Sequence, residues 1–238
     1  MTISKLKQAQ FHRISLQLGR YSQYPVVNAM LEGHASGRVF ADDIDNPESA
    51  FVLTNAGFGY LIGLPQNDTF NQELKELLDN EIFPEIRTSD DSTLIFYPLS
   101  DGWETPLKRM LDGHIVLDLF RKQHSFNPVK FAHHADQWKQ IPAGFQMQVI
   151  DQASLERFGA DIFPWESPQA FLNKGFGFWL LKNKEIACEC SSVFIGGGAV
   201  EINIHTDEKY RRQGLATIAA TAFITECLDR HLRPNWEC

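Results

Sequence analysis

The sequence predicts an α/β (α+β) protein in two halves: a mixed, mostly antiparallel sheet in the second half, preceded by an N-terminal α/β domain. Three observations lead there. Short runs of β-branched and aromatic residues recur between turn formers, amphipathic runs alternate with them, and the second half strings three strand-like runs together with only short turns between. At 238 residues the chain is long enough for one large domain or two small ones. With 43% hydrophobic and 22% charged residues it is too apolar to be disordered as a whole.

In the first half, residues 4–19 are helix-compatible and residues 25–32 start a short helix with Pro25 in its first turn. Strands follow at 37–41, 50–54 and 58–64, separated by Asp45-Asn46-Pro47 and Asn55-Ala56-Gly57. Residues 71–82 read as a helix because Leu74, Leu77, Leu78 and Ile82 share one face. A strand at 93–98, a helix at 103–111 and a strand at 115–120 complete this half. Weak periodicity and Pro142 place the junction between residues 132 and 144, giving domains 1–132 and 145–238.

The second half begins with a strand at 145–150 and a helix at 152–158 capped by Asp151, then a helix opened by Ser167-Pro168. Strands at 177–182, 186–194 and 199–206 are joined by turns at Asn183-Lys184 and Gly196-Gly197-Gly198. A long helix at 215–231 leads to a strand at 234–238. No repeat at solenoid or propeller periods is visible.

Composition narrows the function. Twenty-two Lys and Arg against 30 Asp and Glu give a formal charge of -8, so the global field repels nucleic-acid backbones and anionic lipid. Neither a secretory leader nor an apolar run of about 18 residues is present, which reads as a soluble cytoplasmic protein. Cys188 and Cys190 sit two apart in a strand and face the same side. With Cys227 and Cys238 they read as reduced thiols, and no metal is expected. Asp42, Asp43 and Asp45 lack the other ligands of a calcium loop and read as a turn.

The chemistry concentrates in residues 200–217. A strand runs into a short polar turn and then a helix whose start carries the small residues Gly214, Ala216 and Thr217. A helix start offers unpaired N–H groups and partial positive charge, and small side chains let an anion approach the backbone. Lys209, Arg211 and Arg212 add cationic charge. Taken alone, the spacing leaves a plain helix start with a solvated basic turn equally open.

The run Tyr210-Arg211-Arg212-Gln213-Gly214-Leu215-Ala216 resembles motif A of the GCN5-related N-acetyltransferase (GNAT) superfamily, Gln/Arg-x-x-Gly-x-Gly/Ala. The order of elements over 145–238 is similar as well. Phe171-Leu172, Gly175-Phe176-Gly177-Phe178 and Pro234-Asn235-Trp236-Glu237-Cys238 resemble a bacterial subgroup that includes the zwittermicin A resistance protein, as do Gly37-Arg38-Val39-Phe40-Ala41-Asp42-Asp43 and Asn46-Pro47-Glu48-Ser49-Ala50 in the first half.

The resemblance implies an acyl-CoA N-acyltransferase fold and acetyl-CoA as co-substrate, with no metal. The pyrophosphate is expected on the backbone of Arg211, Arg212, Gln213, Gly214, Leu215, Ala216 and Thr217. The pantetheine arm is expected along Ile204, His205 and Thr206, in a space opened where the motif strand and the next one splay apart, often at a bulge. Acetyl is then transferred directly to a small-molecule amine, with Glu201 or His205 accepting the proton. The alternative is a noncatalytic acyl-CoA-binding or assembly module. The family's further helix, with its general-acid tyrosine, has no counterpart before Cys238. The last strand is accordingly expected to have an uncovered edge available to a second copy.

Overall fold

The computed structural model describes residues 3–14, 24–87, 93–159, 162 and 164–237. The chain divides into two compact units, Met1–Phe120 and Arg121–Cys238.

In the first unit, β1 (Ser4–Lys5) precedes a 3₁₀ turn, Gln8–Ile14, and α1 (Pro25–Leu31). Then come β2 (Gly37–Ala41), β3 (Ser49–Thr54), β4 (Phe58–Gly63) and α2 (Asp68–Leu77), which runs through a π turn at Leu78–Ile82 into α3 (Phe83–Arg87). The unit closes with β5 (Ile95–Pro98) and α4 (Glu104–Met110). The strands lie in the order β1-β2-β3-β4-β5. All neighbours are antiparallel except β4 and β5. Leu74, Leu78 and Ile82, four apart, are buried against Phe51 and Leu61 of the sheet. The Asp42-Asp43 segment is a turn: Asp42 Oδ1 accepts the N–H groups of Asp43, Glu48 and Ser49, and Asp43 Oδ1 those of Asp45 and Asn46.

The second unit contains β6 (Gln123–His124), α5 (Pro128–Trp138), β7 (Gln146–Val149), α6 (Gln152–Phe158), α7 (Pro168–Lys174), β8 (Gly177–Lys182), β9 (Glu185–Gly196), β10 (Ala199–Thr206), α8 (Leu215–Asp229) and β11 (Arg233–Glu237). Its sheet order is β6-β11-β10-β9-β8-β7. The β8–β9 turn uses left-handed backbone at Asn183 and Lys184, and the β9–β10 turn does so at Gly197 and Gly198, as two-residue hairpins require. Asp151 and Ser154 form a reciprocal capping box on α6.

Alternation along the strands divides this sheet into two faces. Val200, Ile202, Leu180 and Cys190 pack against Leu215, Ile218, Ala219 and Phe223 of α8. Trp179 and Leu181 face the other way, with Leu155 of α6 and Phe171 of α7. Cys188, Cys190 and Cys227 are free, buried thiols. Burial pushes each thiol up, that of Cys227 to about 12. Cys238 lies outside the described residues.

Several expectations change. Residues 4–14 form a strand and a 3₁₀ turn instead of one helix, and residues 15–19 lie outside the described residues. The strand expected at 115–120 is unpaired chain, with Ile115 97% and Phe120 95% exposed; β propensity without a partner strand makes no ladder. The expected junction is largely helix: Asn127 Oδ1 caps α5 by accepting the Lys130 N–H at 3.0 Å, and Phe131 and Ala135, four apart, are its buried residues. The two units meet in sequence at Phe120/Arg121, because β6 pairs with β11 and α5 packs on α8. The outer edge of β11 is likewise occupied at Trp236 and Glu237, by His124 and Gln123, so the uncovered edge offered to a second copy is filled by this chain itself.

The connectivity of β1 to β5 is repeated by β7 to β11: one strand, two short helical segments, three antiparallel strands, a helix, and a strand parallel to the one before it. Phe223 is fully buried and its ring stacks on Phe176 at 4.6 Å. Phe223→Ala should lower the unfolding free energy by about 3–5 kcal/mol, the usual cost of an emptied aromatic site, as read by urea denaturation followed by tryptophan fluorescence.

Candidate active site

Two features of β10 create an opening. Its pairing with β11 lasts for three residues, Ala199↔Arg233, Val200↔Pro234 and Glu201↔Asn235. On its other side it pairs with β9 as far as Thr206↔Cys188, with a register shift between Glu201 and Ile202 that leaves Val193 of β9 as the extra residue of a bulge. Residues 202–206 therefore have β9 on one edge and, among the described residues, no strand on the other.

That free edge runs into the start of α8. Asp207 turns the chain by accepting the Lys209 N–H at 3.0 Å, and Arg211 ties the turn back, its Nε donating to the Thr206 carbonyl at 3.1 Å. Arg212 and Gly214 adopt positive φ, +62° and +77°. Such reversals of backbone hand let successive N–H groups converge on one point. Gly214 is the N-cap of α8, and no side chain there takes a first-turn N–H, so those donors stay available for an outside acceptor. A Cβ built on Gly214 meets nothing within 4 Å; the glycine serves backbone conformation and leaves the approach open.

A cleft of about 480 Å³ follows this edge and turn, lined by Ile204, His205, Thr206, Tyr210, Arg211, Arg212, Gly214, Leu215 and Ala216. Gln213 and Thr217, expected with them, are exposed beside it. The cationic cluster is largely spoken for. Lys209 Nζ lies 2.6 Å from Glu185, which holds that carboxyl below its ordinary range. Arg211 lies 3.2 Å from Glu208. Among the described residues only Arg212 of the three has no ion pair.

Glu201 stands where β10 and β11 part, on the face away from α8, since Val200 and Ile202 are buried beneath that helix. Asn235, 3% exposed, donates its side-chain amide to Glu201 Oε2. Gln123 Nε2 in turn donates to Asn235 Oδ1 at 3.3 Å. Burial pushes the Glu201 carboxyl up from its ordinary 4.5 to about 7, against the opposing pull of the Asn235 hydrogen bond; the Glu237 charge adds to the rise, while a hydrogen bond from the Glu237 backbone and the charge of Arg121 oppose it. His205 is exposed on the same face, four residues on, which is about 13 Å at roughly 3.3 Å per residue. The two proton-acceptor candidates are thus apart, with Glu201 half-buried in a network and His205 lining the cleft.

Sequence reasoning missed Asn235, Gln123, Arg121 and Glu237. Strand register alone sets Asn235 opposite Glu201, and no spacing rule links residue 123 to residue 235.

The GNAT acetyltransferase family matches residues 17–238. This chain belongs to that family. It is an N-acetyltransferase, similar to the uncharacterized N-acetyltransferase YdfB of Bacillus subtilis (strain 168), with 30% identity over 217 residues covering 89% of this chain and 79% of YdfB. In fold this GNAT acetyltransferase is similar to a GCN5-related N-acetyltransferase-like protein from Streptococcus suis 89/1591, at TM-score 0.66 and 23% identity over 97% of this chain and 88% of that one. It also resembles a tandem GNAT protein from the clavulanic acid biosynthesis pathway, at TM-score 0.61 and 11% identity over 99% and 89%. Among the described residues, no helix of the enzyme is long and apolar enough to cross a membrane.

A carboxyl raised from 4.5 to about 7 on folding contributes stability that is complete below the unfolded value and lost as pH rises through 7. Glu201→Gln should therefore equal the parent in thermal stability near pH 4 and exceed it at pH 8, as measured by paired melts across that range.

Proposed function

We propose that this N-acetyltransferase binds acetyl-CoA in the cleft along β10 and transfers its acetyl group directly to the amine of a small molecule. The observation that carries the reading is the free edge of residues 202–206 leading straight into an uncapped helix start. An extended pantetheine arm pairs with such an edge as an added strand does, along Ile204, His205 and Thr206. A diphosphate suits the backbone N–H groups from Arg212 to Thr217, with Arg212 supplying charge and Arg211, whose own N–H donates to the Glu208 carbonyl, shaping the turn. The residues fit this ligand: the N-cap position lacks a side chain and the space over it is open. The resemblance of the Pro234-Asn235-Trp236 and Phe176-Gly177-Phe178 runs to the zwittermicin A resistance subgroup favours a small amine acceptor, and an acetyl-CoA-dependent reaction agrees with a cytoplasmic location.

Acetyl-CoA supplies an activated thioester, and the chain supplies the proton acceptor. Glu201 takes the proton of the attacking amine as the C–N bond forms and the thioester C–S bond breaks, and coenzyme A leaves as a thiolate that takes its proton from solvent. With its acidity near 7 the carboxylate is both present and basic enough at neutral pH. His205 is assigned to the coenzyme through its main chain.

The first unit is read as a partner sheet without coenzyme. Its β4 and β5 stay paired from Phe58↔Ile95 to Leu61↔Pro98, and Ser100 Oγ then donates to the Gly63 carbonyl. Asn67 caps α2 by accepting the Phe70 N–H at 3.1 Å, with Asp68 in the first turn. Edge and helix start are both closed to an anion. Calorimetric titration with acetyl-CoA should give one site per chain; a second site of similar affinity would contradict this assignment.

Two variants test the cleft. Gly214→Glu should abolish measurable acetyl-CoA binding by placing a like charge at the helix start, on top of the strain of a side chain at φ +77°. Glu201→Gln should lower kcat/KM by about 10²–10⁴ at pH 7 while leaving acetyl-CoA affinity unchanged, in a thiol-release assay over an amine panel. Unaltered binding in the first variant, or unaltered rate in the second, would overturn the corresponding role.

A further inference from the structure

Asn235 and Gln123 form a chain of amides ending on Glu201 that the proposed reaction has not yet used. Asn235 is almost wholly buried on β11 and is the register partner of Glu201. A side-chain amide has a donor end and an acceptor end, and which end faces a carboxylate decides attraction or repulsion. The ionised Glu201 carboxylate, which only accepts, takes the Asn235 NH₂, and the Asn235 Oδ1 left facing away accepts from Gln123 Nε2. The backbone of Gln123 is held in turn, since β6 pairs with β11 at Glu237↔Gln123 and Trp236↔His124. Arg121 Nη2 also donates to the Glu237 carbonyl at 3.0 Å.

We infer that Asn235, oriented by Gln123, is the positioning residue of Glu201, so that residues 121–124 belong to the proton-transfer apparatus of the second unit. The inference rests on the proposed role of Glu201. Asn235 holds the carboxylate in its proton-accepting form against the cost of burial, and Gln123 prevents the amide from turning its oxygen inward. The charged groups acting on Glu201 are Glu237 of β11, which opposes ionisation, and Arg121 beside β6, which favours it. His124 follows on β6 and His205 shares the face of β10, whereas the β9 residue opposite Glu201 is the uncharged Phe194.

The test is a carboxyl-carbon NMR titration of Glu201 in the unliganded protein, its signal assigned by loss in Glu201→Gln, together with the pH dependence of kcat/KM. Asn235→Ala should move the Glu201 midpoint, and the acidic limb of the rate profile, upward by about 1 pH unit, the order of one hydrogen bond to a charged group. Asn235→Asp, nearly the same shape, should move both further upward through like charge. Gln123→Ala should shift them in the same direction by less, and the double variant should match Asn235→Ala alone. An unmoved midpoint in Asn235→Ala or Asn235→Asp, in protein that keeps the parental far-UV spectrum and acetyl-CoA affinity, would refute the inference. If the parent acetylates no amine, the catalytic reading of Glu201 fails, while the titration still decides whether Asn235 governs its ionisation.

Discussion

Three residue pairs join β10 to β11, and beyond Glu201 and Asn235 the two parallel strands separate. Everything proposed for the site depends on that short ladder. Hydrogen bonds between parallel strands continue only while the backbones keep one spacing, and the bulge at Val193 of β9 re-aims β10 at the position where pairing with β11 stops. The separation leaves residues 202–206, paired with β9 on one edge, without a strand among the described residues on the other. It also brings a carboxylate and an amide together at its apex. One backbone irregularity thus makes both the open edge proposed for the coenzyme and the half-buried carboxyl that desolvation pushes up to about 7.

The two units show how little must change to lose such a site. They share connectivity, down to the helix that joins the last two parallel strands. In the first unit that ladder continues and the helix start is capped by Asn67. In the second unit the ladder breaks and glycine replaces the cap. A side-chain cap satisfies the N–H groups that an anion would otherwise take, so each arrangement excludes the other. A shared fold with divergent loops accounts for one uncapped helix start in the second unit and a self-satisfied one in the first.

Charge acts locally here. The protein as a whole is acidic, and most of the basic turn before α8 is matched to Glu185 and Glu208. Exposed pairs of this kind are weak and exchange partners readily. For the proposed diphosphate, arginine side chains are therefore secondary to the fixed backbone dipoles of the helix start, which need no rearrangement. This explains why Arg211 can spend its guanidinium on the Thr206 carbonyl: its role is to shape the turn.

Much of this was legible in the residues. Turn formers marked nearly every strand boundary in the second unit, and Gly214 with its small neighbours marked the uncapped start of α8, because both signals depend on local backbone sterics that a few residues fix. The fate of residues 115–120 was not legible, since a strand-like run becomes a strand only if an edge is there to receive it. Neither was helix α5, whose apolar stripe of Phe131 and Ala135 is too narrow to stand out. For Glu201, local sequence could specify a carboxylate on the correct face of the motif strand. Its neighbours Asn235, Gln123, Glu237 and Arg121 come from the two ends of a span of more than a hundred residues. Sequence by itself determined which backbone turns and which side chains are available. Tertiary pairing alone decided which carboxyl is buried beside which amide, because desolvation and hydrogen bonding act through space, and the register of β6 on β11 on β10 sets that space.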